Sequence, residues 1–157
     1  GCGTGLCGPF LRPYAHRLTG VDLSPGMLEH ARARGLYDAL AESELGAFLA
    51  ARPAAFDLIV AADVLCYFGP LDTVLGQAAA ALRPGGLLAF TVERLADPAV
   101  AHRLNPHGRY AHGEPHVRDA LAAGGLVEVR IDHAVLRLES GNPVEGLVVT
   151  ACRPAAP

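Results

Sequence analysis

Short apolar, β-rich runs alternate with helix-patterned segments along most of the chain. That alternation restricts the fold to units in which strand, helix and parallel strand follow one another. The pattern predicts a strand at 18–23 (LTGVDL), a helix from Ser24 to Arg34, a short strand at 38–42, a short helix at 44–51 and a buried strand at 56–61 (FDLIVA). A helix over Leu71–Leu82 is expected to stop at Arg83-Pro84-Gly85-Gly86, where proline cannot continue it and glycine supplies the positive φ of its exit. The strand LLAFTVE (87–93) follows. Beyond it the rhythm changes to a polar, His-rich loop at 96–113, a helix at 115–123, and strands at 126–139 and 144–152. Only SGNP separates the last two strands, too little for a crossover, so they are expected to pair antiparallel as a hairpin. Apolar residues move from odd positions (Val127, Val129, Ile131) to even ones (Ala134, Leu136, Leu138), which predicts a bulge near His133. The sheet is therefore expected to be mixed, mostly parallel with an antiparallel C-terminal strand.

Composition narrows the setting. The 157 residues carry a net charge of −3, and every one of the thirteen basic residues is an arginine, scattered singly with no run that could track a phosphate backbone. Nucleic acid is thus not expected as a partner. No apolar stretch reaches the roughly 20 residues of a membrane span, and no leader pattern opens the chain, so a cytoplasmic protein without membrane contact is expected. The four cysteines, Cys2, Cys7, Cys66 and Cys152, form neither a disulfide framework nor a CxxC metal pair. With no repeat or linker signal, 1–157 reads as a single domain. Because it begins at Gly1 and its one methionine is Met27, that domain reads as N-terminally truncated.

The opening GCGTGLCG leads into a helix, and an acid, Asp22, stands at the end of the next expected strand. Glycines allow a tight turn and the close approach of a ligand to the backbone, while an acid in that place can accept hydrogen bonds from ribose hydroxyls. The pair describes an adenosine site. Gly3, Gly5 and Gly8 also satisfy GxGxxG, so the loop alone does not decide between cofactors.

Four runs in order, GCGTG, GVDLSPGMLEHAR, FDLIVAADVLCYF and ALRPGGLLAFTVE, resemble successive motifs of class I S-adenosylmethionine-dependent methyltransferases over residues 1–93. GLYDAL (35–40) and GRYAH (108–112) are similar to segments of the methyltransferase domains that bacteria attach to tetratricopeptide repeats, which implies an N-terminal repeat domain in the full-length protein. The resemblance implies a Rossmann-like, doubly wound α/β sheet whose first strand is missing from this chain, together with the acid that ends it. It implies S-adenosylmethionine as cofactor, with Gly1, Gly3 and Gly5 under its methionine part and Asp22 on its ribose. Leu23 and Met27 would flank the adenine, Glu42 would stand near the adenine amino group, and Ala61, Ala62 and Asp63 would lie beside the sulfonium. The place where amino-methylating enzymes carry NPPY reads AADV here, so DNA and protein glutamine are not the expected acceptors.

Methyl transfer to a small-molecule oxygen or nitrogen is the expected activity. Open α/β sheets bind ligands beyond the carboxyl ends of their strands, so Asp63 and Tyr67 on one side, and Arg109, Tyr110, His112 and His116 on the other, are the acceptor-site candidates. His112 is the first candidate for a base, Tyr110 and Asp63 are further catalytic candidates, and Tyr67, Arg109 and His116 would bind the acceptor. Arg109 could instead pair with Glu114, and Asp63 could cap the helix that follows it. Four histidines between His102 and His116 raise a metal site, but no HExxH and no nearby cysteine supports one, so no metal is expected. His16 and His30 are placed on expected helices. Two rivals remain at this stage: an NAD(P)-dependent oxidoreductase, although a chain without lysine has no Tyr-x-x-x-Lys pair, and a non-catalytic cofactor-binding or scaffold module.

Overall fold

The computed structural model describes residues 1–156, which fall into two compact units, the first ending at Ala51 and the second beginning at Arg52.

In the first unit the opening loop runs into a one-turn helix, α1 (Gly8–Leu11), followed by strand β1 (Thr19–Asp22), helix α2 (Pro25–Ala33), strand β2 (Ala39–Glu42) and helix α3 (Leu45–Ala50). The two strands pair in parallel, Asp22 opposite Glu42. Each longer helix starts where a side chain takes up its free N–H groups. Ser24 Oγ accepts from Met27 N at 3.3 Å, with Pro25 preset for the first turn of α2, and Glu44 accepts from Gly46 N and Ala47 N, both at 2.7 Å. Those two N–H groups hold the Glu44 carboxyl below its usual pKa. Leu18, Leu28, Ala31, Phe48 and Leu49 form the buried core. Asp38 latches the entry to β1, accepting from Leu18 N at 2.6 Å and from Arg12 at 2.7 Å. His30 lies exposed on α2 as expected, whereas His16 lies in a bend outside any helix, because the chain turns there to enter β1.

The second unit is built on one long strand, β4 (Leu82–Arg94). Before it come β3 (Phe56–Ala61), a 3₁₀ turn at Leu65–Tyr67 and α4 (Asp72–Ala81), and after it β5 (His102–Leu104), β6 (Tyr110–His112), α5 (Glu114–Ala123), β7 (Val127–Glu139) and β8 (Asn142–Cys152). Along one edge β4 pairs in parallel with β3 and then, at Glu93 and Arg94, with β6; along the other it pairs antiparallel with β8. Leu71, Leu75, Leu82, Leu121, Val117, Leu147 and Val149 are fully buried around this strand. It is the burial of both its edges and its apolar face that fixes where its C-terminal end, and hence Glu93, must sit.

Several expectations are corrected. The RPGG segment lies inside β4 rather than ahead of it, since Leu82 already pairs with Phe56 while Leu87 pairs with Leu58. The intervening residues bulge out, with Gly85 at φ +77°. The His-rich segment is not all loop: β5 and β6 pair antiparallel within it. The terminal hairpin forms as expected, but its register shifts between Val127 and Arg130 and between Val135 and Arg137, while His133 pairs regularly with Leu147. Among the described residues three of the strand pairings are parallel and three antiparallel, so the expected parallel majority is not observed. The sheet does have the expected mixed character. Among the described residues no helix is long and apolar enough to cross a membrane.

Candidate functional site

In the first unit the glycine loop is folded onto the end of β1 by one carboxylate. Cys2 N donates to Val21 O at 2.7 Å, Gly3 N donates to Asp22 Oδ2 at 2.8 Å, and Ser24 N donates to Asp22 Oδ1 at 3.0 Å. Each carboxylate oxygen has one N–H partner and a lone pair to spare. Gly3 has φ +53°, and the space where a Cβ would project is open. Gly5 has φ +80°, and a Cβ there would come within 3.2 Å of the Ala31 backbone. The first glycine thus leaves room for a ligand, and the second lets the loop pack on α2. Gly1 is exposed at the head of the loop. Leu23 and Met27 expose apolar side chains just beyond Asp22, and Glu42 offers a second, exposed carboxylate on the neighbouring strand. The Arg34 guanidinium is turned onto Thr4 O of the loop at 2.6 Å. A carboxylate with free lone pairs beside an open glycine and exposed apolar side chains fits the adenosine of S-adenosylmethionine.

In the second unit Ala61 ends β3 buried, Ala62 is exposed, and Asp63 turns the chain with φ +56°, its N–H held by Thr91 Oγ1 at 2.9 Å. Asp63 does not cap the 3₁₀ turn that follows. Its Oδ1 accepts instead from Arg137 at 2.8 Å, and the same guanidinium bonds Glu93 Oε1 through Nη2. Glu93 is 4% exposed, and its other oxygen accepts from Asn105 Nδ2 at 3.2 Å. Arg109 pairs with Glu139 at 2.6 Å, not with Glu114, and its guanidinium carbon lies 5.9 Å from the centre of the Tyr67 ring. Tyr67, at 60% exposure, is no core aromatic. Glu114 is occupied by Arg118 and His133. Burial, and then the Asp63 carboxylate, push the Cys66 thiol up to about 11, so it stays protonated.

His112 is fully buried, and its Nε2–H donates to Phe68 O at 2.9 Å and Gly69 O at 3.0 Å. Burial pushes its pKa down, against those two carbonyls, with the His116 and His102 rings adding to the fall. The imidazole of His116 is nearly coplanar in orientation with that of His112, 6.4 Å away, and His102 and Tyr110 complete the cluster. Among the described residues no three His, Cys, Asp or Glu side chains are placed to hold a metal ion.

The candidates therefore form two groups in this unit. Asp63, Tyr67 and Arg109 share a charged cluster, while Tyr110, His112 and His116 share an aromatic one. Glu93, Arg137 and Glu139 are additions that sequence reasoning missed. Their signal was a charge within an otherwise apolar strand, Glu93 after LLAFTV and Arg137 between leucines. Only the pairing of β4, β8 and β7 brings those charges together.

Residues 1–88 match the family described as a methyltransferase domain. The chain belongs to that family. The malonyl-[acyl-carrier protein] O-methyltransferase of Serratia marcescens is 31% identical over 141 residues, 88% of this chain and 52% of that protein. The 18S rRNA (guanine-N(7))-methyltransferase of Bos taurus is 35% identical over 60 residues, 38% of this chain and 21% of that protein. The methyltransferase domain described here thus spans about half, or less, of the length of these relatives. A crystal structure of the N-methyltransferase NodS from Bradyrhizobium japonicum WM9 in complex with S-adenosyl-L-homocysteine is 27% identical, covers 98% of this chain and 75% of that one, and superposes with a TM-score of 0.73. With an rRNA methyltransferase among the relatives, the expectation that excluded nucleic acid is not carried forward.

Proposed function

We propose that this methyltransferase domain binds S-adenosylmethionine through the glycine loop and Asp22 and transfers its methyl group to a small-molecule oxygen or nitrogen. The observation that carries the reading is the Asp22 carboxylate, which holds Gly3 N and Ser24 N and still offers a lone pair on each oxygen to a ribose. Gly1, Gly3 and Gly5 give the cofactor's methionine part a backbone floor, Leu23 and Met27 cover the adenine, and Glu42 accepts from its amino group. When bound, the cofactor supplies a methyl group on a good leaving group, so the chain's task is chiefly to position the acceptor in line.

For an acceptor that must lose a proton, Asp63 is the proton acceptor. Its carboxylate is 46% exposed on the side chain, and Oδ2 makes no hydrogen bond among the described residues. His112 has its Nε2–H committed to two carbonyls, so it shapes the site from behind, with Tyr110 and His116 packed around it. Tyr67 and Arg109 present an exposed ring and a partly exposed guanidinium to the acceptor. Among the described residues β3 pairs only with β4, and we assign its free edge to a further parallel strand of the full-length protein, which the tetratricopeptide-type resemblance extends with a repeat domain.

Calorimetric titration of the domain with S-adenosylhomocysteine and, separately, with NAD tests the reading. Saturable binding of S-adenosylhomocysteine alone, weakened at least about tenfold by Asp22→Ala, is expected, a loss of about 1.4 kcal/mol. Binding of NAD in its place would move the domain to hydride transfer.

A further inference from the structure

The second unit carries a cleft of about 450 Å³ that the proposed methyl transfer does not use. It opens where β4 passes into the loop before β5 and where α5 begins, and its apolar walls are Leu95, Ala96, Pro98 and Pro115. Arg94, the last residue of β4, lines it. The alternation along the strand that sends Glu93 toward Arg137 sends Arg94 to the opposite face. Unlike Glu93, Arg94 has no counter-charge: its side chain makes no hydrogen bond or ion pair among the described residues, and its Nε–H is fully buried without an acceptor.

A guanidinium N–H withdrawn from water and left without an acceptor carries a desolvation cost that nothing among the described residues offsets. The other charged groups of the cleft do not relieve it. Glu114 is already shared by Arg118 from α5 and His133 from β7, and Asp119 is exposed and makes no ion pair among the described residues. We propose that this cleft is a binding site for a small organic acid, whose carboxylate is held by Arg94 and whose apolar body lies against the leucine, alanine and proline walls.

The chemistry selects the carboxylate among anions. One unpaired guanidinium answers one negative charge, and its planar fork matches two coplanar oxygens. A dianionic phosphate would carry a second charge toward Glu114 and Asp119. A cleft of this volume, with leucine, alanine and proline beside one arginine that has no partner among the described residues, also has the size of a small-molecule site.

Titration of the ¹⁵N-labelled domain with butyrate, butanol and inorganic phosphate, followed at the arginine Nε–H resonances, reads the site directly. Butyrate is expected to shift the Arg94 Nε–H resonance saturably, while butanol and phosphate leave it in place. Arg94→Gln is expected to weaken butyrate binding at least tenfold, with S-adenosylhomocysteine affinity unchanged. Phosphate binding as tightly as butyrate, butyrate binding that survives Arg94→Gln, or no saturable shift with any probe would each overturn the proposal. The direct resonance measurement on the unaltered protein decides the matter even if the substituted chain does not fold.

Discussion

The two candidate regions solve the same problem, holding polar groups at the carboxyl end of a strand, in opposite ways. In the first unit a single carboxylate, Asp22, holds backbone N–H groups, and every partner lies on the loop before it or the turn after it. In the second, side chains hold side chains: Arg137 reaches across two strands to join Asp63 and Glu93, and Arg109 reaches Glu139. A site made from backbone needs glycine at fixed positions and therefore writes itself into the sequence. A site made from charge pairs needs only that strands of the right register exist, and register is not local information.

Removing Arg137 should break the second arrangement with the largest effect. Arg137→Met leaves the buried Glu93 carboxylate without its cation, and a loss of about 3 kcal/mol is expected in urea denaturation. Adding Glu93→Gln to the same chain should recover most of it, because the uncompensated charge is then gone. A double variant no more stable than the single one would show that Arg137 acts through packing, not through its charge.

The backbone-held loop should break at Gly5. Gly5→Ala puts a side chain at φ +80° against Ala31, and a destabilisation of about 1–2 kcal/mol is expected, together with weaker S-adenosylhomocysteine binding. Stability unchanged by this substitution would mean that the loop is not packed on α2 in solution.

The smallest effect is a pH dependence that belongs to the second unit. His112 is held neutral by burial, so its folded-state pKa lies below the ordinary value of 6.5. The unfolded chain therefore binds a proton first as pH falls, and stability should decline from about pH 6.5 downward toward the folded value, being fully present above it. Thermal melts between pH 7.5 and 5.5 check this, and His112→Asn should flatten the slope. A slope that persists in the variant would assign the titration to other groups.

This contrast also explains what was legible in advance. The strands and helices of the first half, the hairpin at the end and the pair of Asp22 with its glycines all rest on local rules of periodicity, capping and turn chemistry, and they stand close to where the sequence puts them. The pairing of β5 with β6 was hidden because its two strands are three residues each and rich in histidine and arginine, which no strand pattern favours. The bulge in the hairpin was legible as a change of phase, but the position at which the ladder absorbs it is set by the partner strand. Arg94 escaped for a related reason: an arginine at a strand end is unremarkable until the structure shows that nothing answers it.

Gly146 carries a consequence of that same ladder. It pairs with Ala134 on one side and Glu93 on the other, and a Cβ there would overlap Leu136 and come within 2.8 Å of Val92 O. No other residue of β8 is a glycine, so only one alignment of the three strands leaves room for Leu136. The hairpin is keyed in the manner of a lock with one notch. Lineages of this domain should therefore gain or lose residues freely at the Ser140–Gly141 tip, whereas a single insertion between Asn142 and Gly146 would move the notch and carry Arg137 away from Asp63.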